Sequence, residues 1–163
     1  MQREILFTGK RTSDRQWIYG SLISWSDGDR QIVCADQDRT SNRFEVIPET
    51  VGQYTGHIVN KVDLFEGNIL RNTKISDEED ENEYLVCMFI KEWAMFGLLT
   101  VDEYHAYLSD GAESLDESMF WTFPIDDKEN EQRRICGNVH DNPELLKPEQ
   151  ATEQESAEGS VEG

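Results

Sequence analysis

The sequence predicts a mainly β protein, α+β at most, with one short helix. Three observations carry that class. Apolar residues recur in runs of about four to eight that are rich in aromatic and β-branched side chains. Turn formers punctuate the runs at Asp27-Gly28-Asp29, at Pro48 through Gly56 and at Glu66-Gly67. One stretch, after Thr100, combines helical spacing with a capping pattern.

Taken in order, residues 4–8 are a short apolar-bearing segment ending at Gly9. Residues 17–25 (Trp-Ile-Tyr-Gly-Ser-Leu-Ile-Ser-Trp) alternate as a strand does, and Gly20 marks a bend or bulge in it. Asp27-Gly28-Asp29 is a hairpin turn and 31–35 the return strand. A loop over 36–42 follows. Residues 43–47 alternate into Pro48, which cannot donate to a central ladder and so ends a strand. Pro48, with its fixed φ, and the permissive Gly52 and Gly56 predict a structured turn into a short strand around 53–55. Leu64-Phe65, a tight turn at Glu66-Gly67 and a new strand to Leu70 come next.

Residues 83–90 and 93–99 are two apolar runs parted by Lys91-Glu92, and they read as a hairpin. A single buried helix is the competing reading, since Leu, Met and Ala are good helix formers. Thr100 with Glu103 is a capping box, and Tyr104, Tyr107 and Leu108 share one helical face, so a short helix ends at 109–111. Residues 119–123 before Pro124 and residues 133–138 supply the last strands, and 142–146 close the domain. The expected organisation is one domain over 1–147, with an acidic loop at about 76–83, and a disordered acidic tail over 148–163.

A chain of 163 residues is long enough to bury its own core. No window approaches the ~20 apolar residues of a membrane helix, and the first residues lack a signal peptide's basic start and apolar run. Cys34, Cys87 and Cys136 are odd in number and form no CxxC, which fits reduced thiols in a cytoplasm. The net charge of −19 is unevenly placed. Residues 1–75 hold ten bases and ten acids, so the five bases and twenty-four acids after them account for all of it. Residues 77–83 contain six acids, and 148–163 contain five with no base. Gripping nucleic acid directly requires the opposite sign, so no direct nucleic-acid binding and no membrane association are expected.

No enzyme motif is present: no GxGxxG, Walker loop, HExxH or GxSxG. The chain is expected to be no enzyme and to need no cofactor. His57, His105 and His140 are isolated. Cys136 and His140, with Asp141 beside them, fall short of the three or four ligands a zinc site needs. The acidic run at 77–83 has neither the alternation nor the glycine of an EF-hand. No metal site is expected, and Cys136 and His140 read as a half-buried strand cysteine and a surface turn histidine. The residues proposed for partner binding are Trp17, Tyr19 and Tyr54, an aromatic strip of the kind that binds peptides. The competing reading makes them the core face of a sheet. Asn138, Asn142 and Pro143 read as residues that pin the C-terminal turn.

Four segments occur in a recognisable order: Arg3-Glu-Ile-Leu-Phe-Thr-Gly-Lys-Arg11 with 17–23, Val46 through Gly56, Phe65-Glu-Gly-Asn-Ile-Leu70, and Ile135 through Leu146. In them the chain resembles the YopX family of phage and prophage proteins, over 3–146 and most clearly at the two ends. The resemblance implies an SH3-like small barrel element with an additional hairpin, residence in a bacterial host's cytoplasm, and homo-oligomers. It also implies that Leu145 and Leu146 fold back onto the barrel. The family's Glu-Gly-Asp reads Glu66-Gly67-Asn68 here, and its Lys-Asp-Lys-Asn-Gly turn is missing between 56 and 65, so an altered turn is expected there. The functional expectation is a non-catalytic protein-binding or assembly module with an unknown protein partner. The alternatives are an acidic DNA-mimic inhibitor of a host nucleic-acid-binding protein, and an enzyme without a recognised motif.

Overall fold

The structure, a computed structural model, describes residues 4–35, 41–72, 84–115 and 133–147. These hold two antiparallel sheets and one α-helix, so the mainly β class is the observed one. The first sheet grows outward from β1 (Phe7–Lys10), which pairs with β2 (Trp17–Ser24) from Phe7↔Gly20 to Lys10↔Trp17. The second half of β2 pairs instead with β3 (Arg30–Ala35), starting at Ser21↔Val33. Gly20 stands at this handover, where a β-carbon would lie 2.2 Å from the Val33 carbonyl oxygen. The break expected at Gly20 is therefore a change of partner, with the register intact.

Strand β4 (Ser41–Val46) pairs along β3 and begins at Ser41, inside the loop expected over 36–42; residues 36–40 lie outside the described residues. Its far end returns to β1. Arg11 and Val46 form an antiparallel bridge, the Ile47 N–H donates to the Lys10 carbonyl at 2.9 Å, and the Thr12 N–H donates to that of Glu45 at 3.0 Å. The buried Ile32 and Val46 pack inside this curl against Gly9. Pro48 opens a 3-10 turn (Pro48–Thr50) that ends β4's path as expected. The Thr50 hydroxyl is satisfied on both sides, accepting from the Lys10 N–H at 2.9 Å and donating to the Ile47 carbonyl at 2.7 Å.

Strand β5 (Gly52–Val59) pairs with β1, and β6 (Val62–Phe65) is the outer strand, giving the order β4-β3-β2-β1-β5-β6. The short strand expected around 53–55 is thus eight residues long. It bends between Tyr54 and Ile58, where the register shifts and Gly56 takes φ +87°. The altered turn expected between 56 and 65 is a two-residue hairpin at Asn60-Lys61, both left-handed at φ 47° and 68°.

The turn at Glu66-Gly67, with Gly67 at φ +84°, carries the chain into the second sheet. That sheet contains β7 (Asn68–Asn72), β8 (Tyr84–Ile90), β9 (Met95–Thr100) and β10 (Arg133–Asn138) in the order β10-β7-β8-β9. Residues 84–100 are the expected hairpin. Their apolar runs barely alternate because both faces are covered. Leu70, Leu85, Cys87 and Leu98 pack with Val59 and Leu64 of the β5–β6 hairpin. Ile69 and Val86 on the other face pack with Leu146, beside Tyr104 of the helix.

Helix α1 (Val101–Asp110) starts at Thr100, whose side chain accepts from the Glu103 N–H while Glu103 reaches back to the Thr100 N–H, and it ends at Gly111. The C-terminal 3-10 turn (Pro143–Leu146) docks the buried Leu146, and His105 Nε2 lies 2.6 Å from the Leu146 carbonyl oxygen. The expected acidic loop, the strand at 119–123 and the tail fall outside the described residues. No helix among the described residues is long and apolar enough to cross a membrane.

Candidate functional site

Side chains of a strand alternate between faces, so β2 divides its residues between two environments. Ile18 and Gly20 turn toward Ile32 and Val46, and Trp17 and Tyr19 turn the other way. On that outward face a cleft of about 450 Å³ opens. Leu6, Thr8, Trp17 and Tyr19 line it from the first sheet, Lys61, Asp63 and Phe65 from the β5–β6 hairpin, and Ile135, Asn138 and His140 from β10 and the turn after it. Strands from both sheets are therefore needed to build it.

Tyr19 is 55% exposed at the cleft, and its ring lies 5.3 Å from that of Phe65. Tyr54 is buried, 5.5 Å from Phe65, and is not part of the lining. The three aromatics proposed from sequence thus separate. Trp17 and Tyr19 face the cleft, while Tyr54 supports its wall through Phe65. Burial, reinforced by the carboxylates of Asp63 and Glu4, pushes the Tyr54 phenol above its ordinary range.

The other end of the cleft is organised by Asp141. Its carboxylate accepts from the Lys10 ammonium, from Trp17 Nε1 at 2.6 Å and from Asn138 Nδ2 at 3.1 Å. Partial burial acts to raise its pKa, but the Lys10, Trp17 and Asn138 hydrogen bonds and the Lys10 charge outweigh it and hold the group at about 2. Lys10 Nζ also lies 5.4 Å from the Trp17 ring centroid. The His140 ring sits 6.1 Å from that of Trp17, and burial, then the Lys10 charge, lower its pKa against the pull of Asp141 and Glu49. The imidazole is therefore neutral at neutral pH.

The turn that presents Asp141 is built by its asparagines. Asn138 Oδ1 accepts from the N–H groups of His140 (3.0 Å) and Asp141 (2.9 Å), and the Asn142 N–H donates to the Asn138 carbonyl at 2.9 Å. Gly137 is required here, since a β-carbon would lie 2.3 Å from Asn142 Oδ1. Asn138 and Asn142 thus pin the C-terminal turn as the sequence suggested. Lys10, Asp63, Phe65 and Asp141 were not singled out for the site from sequence. The run Gly137-Asn-Val-His-Asp-Asn142 marked the turn, but nothing in it named Lys10 and Trp17 as partners of Asp141.

Thr8, which lines the cleft, donates its hydroxyl to the Ile18 carbonyl at 3.1 Å. Cys136 sits at the irregularity of β10, and its thiol donates to the Ile69 carbonyl at 3.4 Å. Among the described residues, no three His, Cys, Asp or Glu side chains gather as a metal site would require.

A search of curated proteins finds no match. A crystal structure titled "protein EF1440 from Enterococcus faecalis" is similar at a TM-score of 0.51 and 17% identity, over 90% of this chain and 100% of that one. At that identity the likeness concerns the fold alone. A family model described as "YopX protein" matches residues 6–147, which include both sheets, the helix and the turn that carries Asp141. The chain belongs to the YopX family.

Proposed function

We propose that the chain is a non-catalytic protein-binding module, working in the cytoplasm of a bacterial host, whose contact surface is the cleft bearing Trp17 and Tyr19. One observation carries the reading: both aromatics sit on the face of β2 turned away from the Ile32–Val46 core, and Tyr19 is half exposed beside Phe65. A large ring held in place at a concave surface gives contact area at small entropic cost, the usual chemistry of a recognition anchor. We read the curl of β1 to β4, joined by the Arg11–Val46 bridge and followed by a 3-10 turn into β5, as the SH3-like barrel element. It is the platform that carries the anchors.

The test is a capture experiment from cells that carry the phage or prophage, comparing the full chain with its Tyr19→Ala variant. Tyr19 is largely exposed, so the variant is expected to keep its melting temperature within a few degrees. A partner retained by the wild type and lost by the variant supports the reading. Equal capture by both moves the contact surface elsewhere. The DNA-mimic reading is favoured by the concentration of charge after residue 75, and its signature is capture that DNA competes away.

A further inference from the structure

The two ends of the cleft differ in how their charges are satisfied. At the Trp17 end, Asp141 is neutralised by Lys10. At the Tyr19 end, Asp63 lines the cleft beside Phe65, and Asp63 and Glu4 both act on the Tyr54 phenol. Among the described residues, the side chains of Asp63, in β6, and Glu4 make no hydrogen bond or ion pair. The opposing charge here is Lys61, an exposed residue of the hairpin turn two positions from Asp63. Aromatic faces beside unneutralised carboxylates attract a cation twice over, through the ring quadrupole and through Coulomb attraction. The surplus of negative charge on the chain acts in the same sense at longer range, steering basic segments toward it.

We propose that the Tyr19 end of the cleft takes an arginine or lysine side chain of a protein partner, stacked on Tyr19 and paired with Asp63. The inference rests on the reading of the cleft as the partner site and names the chemistry that enters it. Asp63 supplies the charge, Tyr19 the exposed ring with the buried Phe65 behind it, and Lys61 limits the preference by its opposite sign.

Fluorescent heptapeptides Ala-Leu-Ala-Xaa-Ala-Leu-Ala, with arginine, lysine or citrulline at Xaa, are titrated into the full chain and followed by anisotropy. Citrulline keeps the shape and hydrogen-bonding reach of arginine without its charge. The arginine peptide is expected to bind about five-fold more tightly than the citrulline peptide. Asp63→Asn is expected to reduce that ratio, and Lys61→Gln to widen it. Equal affinity for the arginine and citrulline peptides overturns the inference; if that binding is lost in Tyr19→Ala, the cleft still stands as a binding surface. An arginine preference left unchanged by both Asp63→Asn and Tyr19→Ala places the cation elsewhere and overturns the inference together with the cleft reading. Absence of binding by every peptide also overturns it.

Discussion

Asp141 shows how far a single residue escapes the sequence. Its hydrogen-bond partners Lys10 and Trp17 lie 131 and 124 positions away. Local pattern makes the turn around it legible, because Asn and Gly at fixed offsets have local consequences, but nothing local encodes a partner so distant. Its folded pKa of about 2 lies below the ordinary 3.8, so the stability it contributes is present above about pH 4 and lost as pH falls toward 2. Partial exposure screens this contribution and keeps it small. The Trp17 indole N–H resonance is expected to titrate with a midpoint near 2, and Lys10→Met to move that midpoint upward. A midpoint near 3.8 in both proteins would mean that Lys10 does not hold the carboxylate. Glu66 runs the other way. Burial, against hydrogen bonds from the backbone N–H groups of Gln53 and Phe89, raises its pKa, so its contribution is full below the ordinary carboxylate range and declines as pH rises through the raised value.

Among the elements, those with local signatures were the legible ones. The helix was placed from its capping box to its closing glycine, because Thr100, Glu103 and Gly111 act within one turn of the ends they define. The hairpin over 84–100 is legible by composition but not separable from a helix by pattern, since a sheet covered on both faces loses the period of two. The hairpin over 52–65 is longer than its local signals indicate. Its turn uses Asn60-Lys61, and a lysine in the left-handed region is not the glycine by which such turns are recognised. The C-terminal turn yields a direct test of packing. Leu146 is buried against Ile69 and Val86, whereas Leu145 is half-buried at the edge of the same cluster. Leu146→Ala is expected to cost about 2–5 kcal/mol in a denaturant titration and Leu145→Ala clearly less. Two neutral variants would remove the docking role and leave this turn available for a partner.

For the whole molecule, the division of charge and the division of structure nearly coincide. The first sheet is built entirely from the electrically balanced residues before 75, and the acidic blocks at 77–83 and 148–163 lie outside the described residues. Among the described residues, β6 and β9 pair on one side only, and a strand so placed can pair with a second chain. On the proposed assembly reading, sedimentation at micromolar concentration is expected to give a species heavier than the 18.9 kDa chain; a monomer across salt concentrations removes self-association from the account. The claim that the cleft rather than the acidic loop at about 76–83 holds the partner is tested most directly on the captured partner with Asp77, Glu78, Glu79 and Asp80 changed to Asn or Gln. Binding is expected to survive these changes and to fall in Tyr19→Ala. Loss of binding on neutralisation, with capture by the unaltered chain competed away by DNA, would contradict it and make the acidic mimic the better account.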